Sequence, residues 1–198
     1  MMTIAVLILA AGSSSRMGRP KQLLKINNCY LLQHVITNAT SSNATTTFCV
    51  IGANAHIIRK KIGLPNVTYL YNETYKSGIS SSIRRGITHI EKNIKNLHGT
   101  LILLGDQPEV NKTYINSIIQ LFSENPTSII ASKYGNKIGV PALFPKHYFK
   151  ALLNLKGDRG AYDILNKDDN VILCNTPINL VDIDTEKDFT FYKNSVQK

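Results

Sequence analysis

Residues 4–9, Ile-Ala-Val-Leu-Ile-Leu, form an unbroken apolar run at the start of a 198-residue chain. A run with no polar alternation reads as a strand covered on both faces, and such strands occur in parallel sheets flanked by helices. The run is far too short to cross a membrane. It has no basic residues before it and a charged Gly/Ser loop after it, which suits a buried strand better than a signal peptide. The chain is therefore expected to be cytoplasmic, with no membrane partner.

The rest of the chain repeats that grammar. Leu31, Leu32, Val35, Ile36 and Ala39 follow helical spacing. Residues 46–51 read as a strand, 55–62 as a helix stopped by Gly63 and Pro65, and 67–71 as a strand. Ile79, Ile83, Ile87 and Ile90 make a one-face helix. Residues 100–104 are again a wholly apolar strand, and 113–122 a helix. Residues 128–131 and 136–144 read as strands, the second interrupted at Gly139 and Pro141. Short helices at 148–155 and 161–166 flank the turn Gly157-Asp158-Arg159-Gly160. Residues 171–174 and 180–183 complete the strands, and 185–192 form a last helix with Thr185 as its N-cap. Alternating strands and helices predict a Rossmann-like α/β fold, an open and mostly parallel sheet with helices on both faces. One domain spans 1–198, with a less regular elaboration around 136–175.

Composition narrows the ligand. The net charge of +10 suits a polyanion. The Lys and Arg residues are scattered, without a basic run or interleaved aromatics, which argues against nucleic acid. Cys29, Cys49 and Cys174 lie far apart and match neither a disulfide framework nor a zinc site.

In an open α/β sheet, ligands bind beyond the carboxyl ends of the strands. The first such place is the loop Ala11-Gly12-Ser13-Ser14-Ser15-Arg16-Met17-Gly18-Arg19-Pro20-Lys21. Its small residues let backbone N–H groups converge on an anion, and Arg16 and Lys21 add positive charge. It is neither a Walker A loop nor a Gly-x-Gly-x-x-Gly fingerprint; an ordinary flexible loop has the same composition. The second place is Gly105-Asp106-Gln107-Pro108, where a carboxylate at a strand end suits Mg²⁺ or merely a turn. The third is Asp182-Ile183-Asp184, either of whose carboxylates could complete a metal site, while Asp184 also suits the start of the following helix.

These motifs together resemble the MobA-like nucleotidyltransferases, and among them the molybdenum cofactor cytidylyltransferases. The resemblance rests on the segment from Leu9 to Lys21, on Gly78-Ile79-Ser80-Ser81-Ser82-Ile83, on Leu104 to Pro108, and on Asp182 to Thr185 with Asp188. Gly139-Val140-Pro141-Ala142-Leu143-Phe144 and Gly157-Asp158-Arg159-Gly160-Ala161 add two more. Val140 stands where many relatives have His, and Tyr162 where relatives usually have Arg.

The resemblance implies a nucleotide-diphospho-sugar transferase type of fold. It also implies transfer of CMP from CTP to the terminal phosphate of a pterin-type acceptor, molybdopterin, with Mg²⁺ and release of pyrophosphate. Leu9, Ala10, Ala11, Gly12 and Ser13 would bind the nucleotide with Arg16 and Lys21. Gly78 and Ser80, Ser81 and Ser82 would contact its ribose or base, although short hydroxyls at a helix start also serve as caps. Arg16, Lys21 and Asp106 would be catalytic, and Asp106 and Asp184 would hold the metal. Ala11, where guanylyl-transferring relatives carry Gly, fits a pyrimidine. Gln107, Pro108, Gly139, Pro141, Asp158 and Arg159 would bind the acceptor. A molybdoenzyme or its maturation factor would be the protein partner. Two other readings stay open: a sugar phosphate or other phosphorylated alcohol as acceptor, and a non-catalytic molybdoenzyme maturation factor.

Overall fold

The computed structural model describes residues 2–26, 28–135 and 137–196. Strand β1 (Ile4–Ala10) is buried at all seven positions. A two-stranded hairpin follows, β2 (Lys25–Ile26) and β3 (Cys29–Tyr30), which nothing in the sequence pattern foretells. Then come α1 (Leu31–Thr40), β4 (Thr46–Ile51), α2 (Ala55–Lys61), β5 (Thr68–Tyr71) and α3 (Ile79–Asn93). The second half holds β6 (Gly99–Leu104), α4 (Lys112–Glu124), β7 (Ile129–Tyr134), β8 (Lys137–Pro145), α5 (Phe149–Leu153), α6 (Tyr162–Lys167), β9 (Val171–Leu173) and α7 (Glu186–Ser195).

The main sheet runs β5-β4-β1-β6-β8-β7-β9. Its pairings are parallel except those of β8, which is antiparallel to both β6 and β7. This is the open, mostly parallel α/β sheet that the alternation predicts. The two faces of β1 feed two cores. Val6 and Ile8 pack with Val35, Ile36, Ile118 and Phe122 from α1 and α4. Leu7 and Leu9 pack with Ile83, Ile87 and Ile90 from α3. Helix α3 comes this close to β1 because Gly86 has no side chain: a Cβ there would lie 2.3 Å from Leu7 Cδ1.

Three expectations shift. Residues 180–183 are not a strand, because they pair with loop and side-chain groups rather than with a ladder. The expected strand 136–144 begins on Asn136, which lies outside the described residues; β8 runs through Gly139 and a cis Val140–Pro141 peptide. Its pairing with β7 slips between Ala131 and Ser132, and such an irregularity is where proline is tolerated. Helix α5 is shorter than the expected 148–155, and α6 lies one residue later than the expected 161–166 at the same length. No described helix is long and apolar enough to cross a membrane.

A third, smaller apolar cluster matters most for the site. Met17, Leu24, Ile26 and Leu31 pack with Ile183 and Tyr192, binding the loop after β1 to the C-terminal segment.

Candidate active site

The loop after β1 is held from beneath. Gln22 is buried, and its Nε2 donates to the carbonyls of Ala10 and Gly12, both at 3.0 Å. The Lys21 amide donates to Ser14 Oγ at 3.1 Å. Ser14 and Gly18 take left-handed conformations on either side of the turn Ser15–Met17. With its carbonyls pinned inward, the loop from Gly12 to Arg16 lines a cavity of about 710 Å³, together with Lys21, Tyr75, Lys76, Gly78, Asp158 and Asp184. An inner cavity of about 290 Å³ adjoins it. Leu9, Ala10, Ala11, Ser82 and Asp106 line that inner space.

Three distant segments converge there on one lysine. Lys21 Nζ donates to Asp106 Oδ2, at the end of β6, and to Asp184 Oδ1 at 2.7 Å. Arg16 Nη2 reaches the other oxygen of Asp184 at 2.9 Å. Arg19 forks onto both oxygens of Glu186 at 2.7 and 2.8 Å, tying the back of the loop to the first turn of α7.

The charges are unequal in depth, and their proton affinities follow. Burial works against the charge on Lys21, but the carboxylates of Asp106 and Asp184 outweigh it and hold the ammonium above the ordinary lysine value. Asp184 is half-buried; the two cations overcome that burial and keep its carboxyl below the usual range. For Asp106 burial wins, and with Asp182 and Asp184 nearby it pushes the carboxyl up despite Lys21. The same ion pair thus raises one partner and fails to lower the other, because Asp106 is the more deeply desolvated group.

A divalent cation fits this arrangement. Asp106 Oδ1 is buried and has no hydrogen-bond partner among the described residues. The Lys21 ammonium already stands between two carboxylates, where a cation is electrostatically favoured. Among the described residues, no group of three or more His, Cys, Asp or Glu side chains could hold an ion. The remaining ligands would be substrate oxygens and water, which is how Mg²⁺ is usually bound beside phosphates.

The start of α3 forms the opposite wall. Gly78 has φ +90°, and a Cβ there would lie 2.5 Å from the Gly157 carbonyl, so the turn at 157–158 packs directly on the helix start. Asp158 Oδ1 accepts from the Ile79 amide at 3.0 Å. The three serines divide. Ser82 lines the inner cavity. Ser80 and Ser81 are buried and line neither cavity, and Ser81 Oγ donates to the Gly78 carbonyl at 2.8 Å. Of the three serines expected at the ribose or base, the structure places Ser82 alone on a cavity wall. Asn72 Nδ2 donates to Ser81 and Ser82 at 2.9 and 3.0 Å.

Most of the expected acceptor set lies away from the cavities. Gln107 is fully buried and donates inward to Asp182 and Tyr134. Pro108 is buried, with its carbonyl 3.1 Å from His34 Nε2. Pro141 is buried on β8, where its carbonyl accepts from Ser132 Oγ, and neither it nor Gly139 lines either cavity. Arg159 is exposed and pairs with Asp163 at 3.2 Å. Of the six, only Asp158 faces the cavities. Sequence reasoning missed Tyr75 and Lys76 in the cavity wall and Gln22 beneath the loop. The position of Asn72 just beyond β5, at a carboxyl strand end, was the one available signal.

Known proteins share this architecture. A model of the MobA-like NTP transferase domain matches residues 6–171. The purine catabolism protein PucB of Bacillus subtilis (strain 168) is 24% identical over 198 residues, covering 95% of each chain. The bifunctional protein GlmU of Ruthia magnifica is 27% identical over 148 residues, 74% of this chain. The aligned part is 31% of that protein, so the chain spans about a third of the relative's length. The crystal structure of an Rv0371c homologue from Mycobacterium sp. strain JC1 superposes with a TM-score of 0.86 at 25% identity, covering 98% of this chain and 96% of that one. Rv0371C of Mycobacterium tuberculosis, in complex with manganese, gives 0.81 at 24% identity, covering 98% of this chain and 100% of that one. The fold matches nucleotide-diphospho-sugar transferase structures.

Proposed function

This chain belongs to the MobA-like NTP transferase family, and on that premise we propose that it transfers CMP from CTP to the terminal phosphate of molybdopterin, releasing pyrophosphate. The observation that carries the reading is the convergence of Lys21, Asp106 and Asp184 at the mouth of a Gly/Ser/Arg loop. A pure nucleotide binder has no need of a partly buried lysine set between two carboxylates beside that loop. On this reading residues 1–198 act as one nucleotidyltransferase domain, and 136–175 serve the acceptor.

A phosphomonoester oxygen of the acceptor attacks the α-phosphorus, and the bond to the β-phosphate oxygen breaks. The nucleophile is already ionised at neutral pH, so no general base is needed. The chain's work is alignment and charge neutralisation. Lys21 meets the negative charge that builds on the α-phosphoryl oxygens. Arg16 pairs with the departing pyrophosphate, bidentately where its fork allows. The loop from Gly12 to Gly18 cradles the β- and γ-phosphates. Asp106 and Asp184 would hold Mg²⁺, which when bound would supply Lewis-acid polarisation of phosphate oxygens. Ala11 lines the inner cavity with a methyl group where guanylyl-transferring relatives carry Gly, and the space it takes favours a pyrimidine.

The acceptor has a second reading, a sugar phosphate or other phosphorylated alcohol. It is favoured by one observation: five of the six expected acceptor residues line neither cavity, while Tyr75, Lys76 and Asp158 do. Product analysis decides between them. Purified protein given CTP, GTP or ATP with each acceptor should form a CMP adduct of molybdopterin. Formation of a nucleoside diphosphate sugar instead would reassign the acceptor.

A further inference from the structure

We propose that Gln107 is a positioning residue that sets the spacing of the Asp106 and Asp184 carboxylates from inside the protein. The inference rests on the metal-dependent reading above and deepens it.

Asp106 and Asp184 come from unrelated segments. Asp106 ends a strand of the sheet, whereas Asp184 lies on a stretch with no ladder partner. Something other than a sheet must therefore hold the second carboxylate in place. Two contacts link the stretch to the end of β6. The Ile183 amide donates to the Asp106 carbonyl at 3.1 Å. One residue along, Gln107 Nε2 donates to Asp182 Oδ1 at 2.8 Å. The same amide nitrogen donates to the Tyr134 hydroxyl, and Tyr134 in turn donates to the Val140 carbonyl of β8.

Gln107 therefore joins the β7–β8 wall to Asp182, two residues before the second carboxylate. It is fully buried and lines neither cavity, so it does not act by touching substrate. The residue type matters. An amide N–H gives Asp182 a charge-assisted hydrogen bond. A carboxylate at 107 would repel Asp182, and an alkyl group would leave it unheld. With the clamp gone, the backbone before Asp184 keeps the Ile183 bond and the packing of Ile183, and the two carboxylates are otherwise joined only through the Lys21 ammonium, whose place a cation would contest.

The test is calorimetric titration of Mn²⁺ into protein saturated with α,β-methylene CTP, which cannot be cleaved at the bond that breaks in transfer. Gln107→Leu should weaken Mn²⁺ about 10–100-fold, the usual effect of removing a group that orients a metal ligand. Nucleotide KM at saturating Mn²⁺ should stay unchanged, and raising Mn²⁺ should restore kcat. Asp182→Ala, a change at the exposed end of the clamp, should weaken Mn²⁺ equally, and the double variant should be no worse than either single one. Asp182→Asn keeps an acceptor oxygen and should bind Mn²⁺ nearly as the wild type does. Wild-type Mn²⁺ affinity in both Gln107→Leu and Asp182→Ala would overturn the proposal. So would additive losses, or a kcat deficit that Mn²⁺ does not relieve. If Gln107→Leu fails to fold, Asp182→Ala carries the test alone. Wild-type protein that binds no Mn²⁺ would instead sink the metal-dependent reading, and the inference with it.

Discussion

Lys21 donates a hydrogen bond to Asp106 across 85 positions of sequence, and the same ammonium holds Asp184 at 2.7 Å. One side chain thus closes a centre built from the loop after β1, the end of β6 and the stretch before α7. It also occupies the ground a divalent cation would take.

That double role makes opposite demands on Lys21→Met. Transfer should fall about 10²–10³-fold, the loss typical of one preorganised charge contact. Mn²⁺ binding without nucleotide should become tighter, because two carboxylates lose their internal counter-ion. Calorimetry on the variant reads the second effect, and unchanged Mn²⁺ affinity would separate the lysine from the metal site.

The serines at the start of α3 should divide as their contacts do. Ser82→Ala should raise nucleotide KM, since Ser82 lines the inner cavity. Ser81→Ala removes a bond to the Gly78 carbonyl and an acceptor for Asn72, so it should lower Tm and leave KM near the wild-type value. Steady-state kinetics beside a melting curve distinguishes them; a KM effect confined to Ser81→Ala would reverse the assignment.

Gly86→Ala sets two effects against each other. The helix gains about 1 kcal/mol of propensity. The new Cβ meets Leu7, which is wholly buried and has nowhere to go, and overpacking costs about 1–3 kcal/mol. The clash should win, and Tm should fall. A rise in Tm would mean that α3 can move off β1.

Helix α7 should carry an acid-sensitive part of the stability. The Thr185 hydroxyl donates to Asp188 Oδ2 at 2.8 Å and accepts from the Asp188 amide at 3.2 Å, holding that carboxyl below its ordinary value. A carboxyl lowered on folding stabilises the protein fully above its unfolded pKa of about 4, and the stabilisation fades as pH falls towards the folded value. Asp188→Asn should remove that slope from the acid limb of Tm against pH. Thr185→Ala should cost about 0.5–2 kcal/mol at neutral pH, as lost N-caps do.

What was legible in the sequence follows from periodicity. The apolar runs at β1, β4 and β6 and the isoleucine stripe of α3 announce their own partners. The convergence of Arg16, Lys21 and Asp106 was legible because charged residues just beyond apolar strands have few structural reasons to be there. Residues 180–184 were not, because Leu180, Val181 and Ile183 imitate a strand while the segment is held by side-chain packing of Ile183, one backbone bond and the Gln107 clamp rather than by a ladder. Gln107 was hard to place for a related reason: it neighbours Asp106 in sequence, yet its side chain is buried. Gln22 left no trace at all, since its two carbonyl partners are set by tertiary approach and not by spacing.

The most direct measurement is Mg²⁺-dependent pyrophosphate release from CTP with molybdopterin, run on the wild type and on Asp106→Asn. The account predicts release by the wild type, with one pyrophosphate for each CMP adduct, and its loss in a variant that melts as a folded protein. Full release by folded Asp106→Asn would contradict a catalytic centre built on Lys21, Asp106 and Asp184.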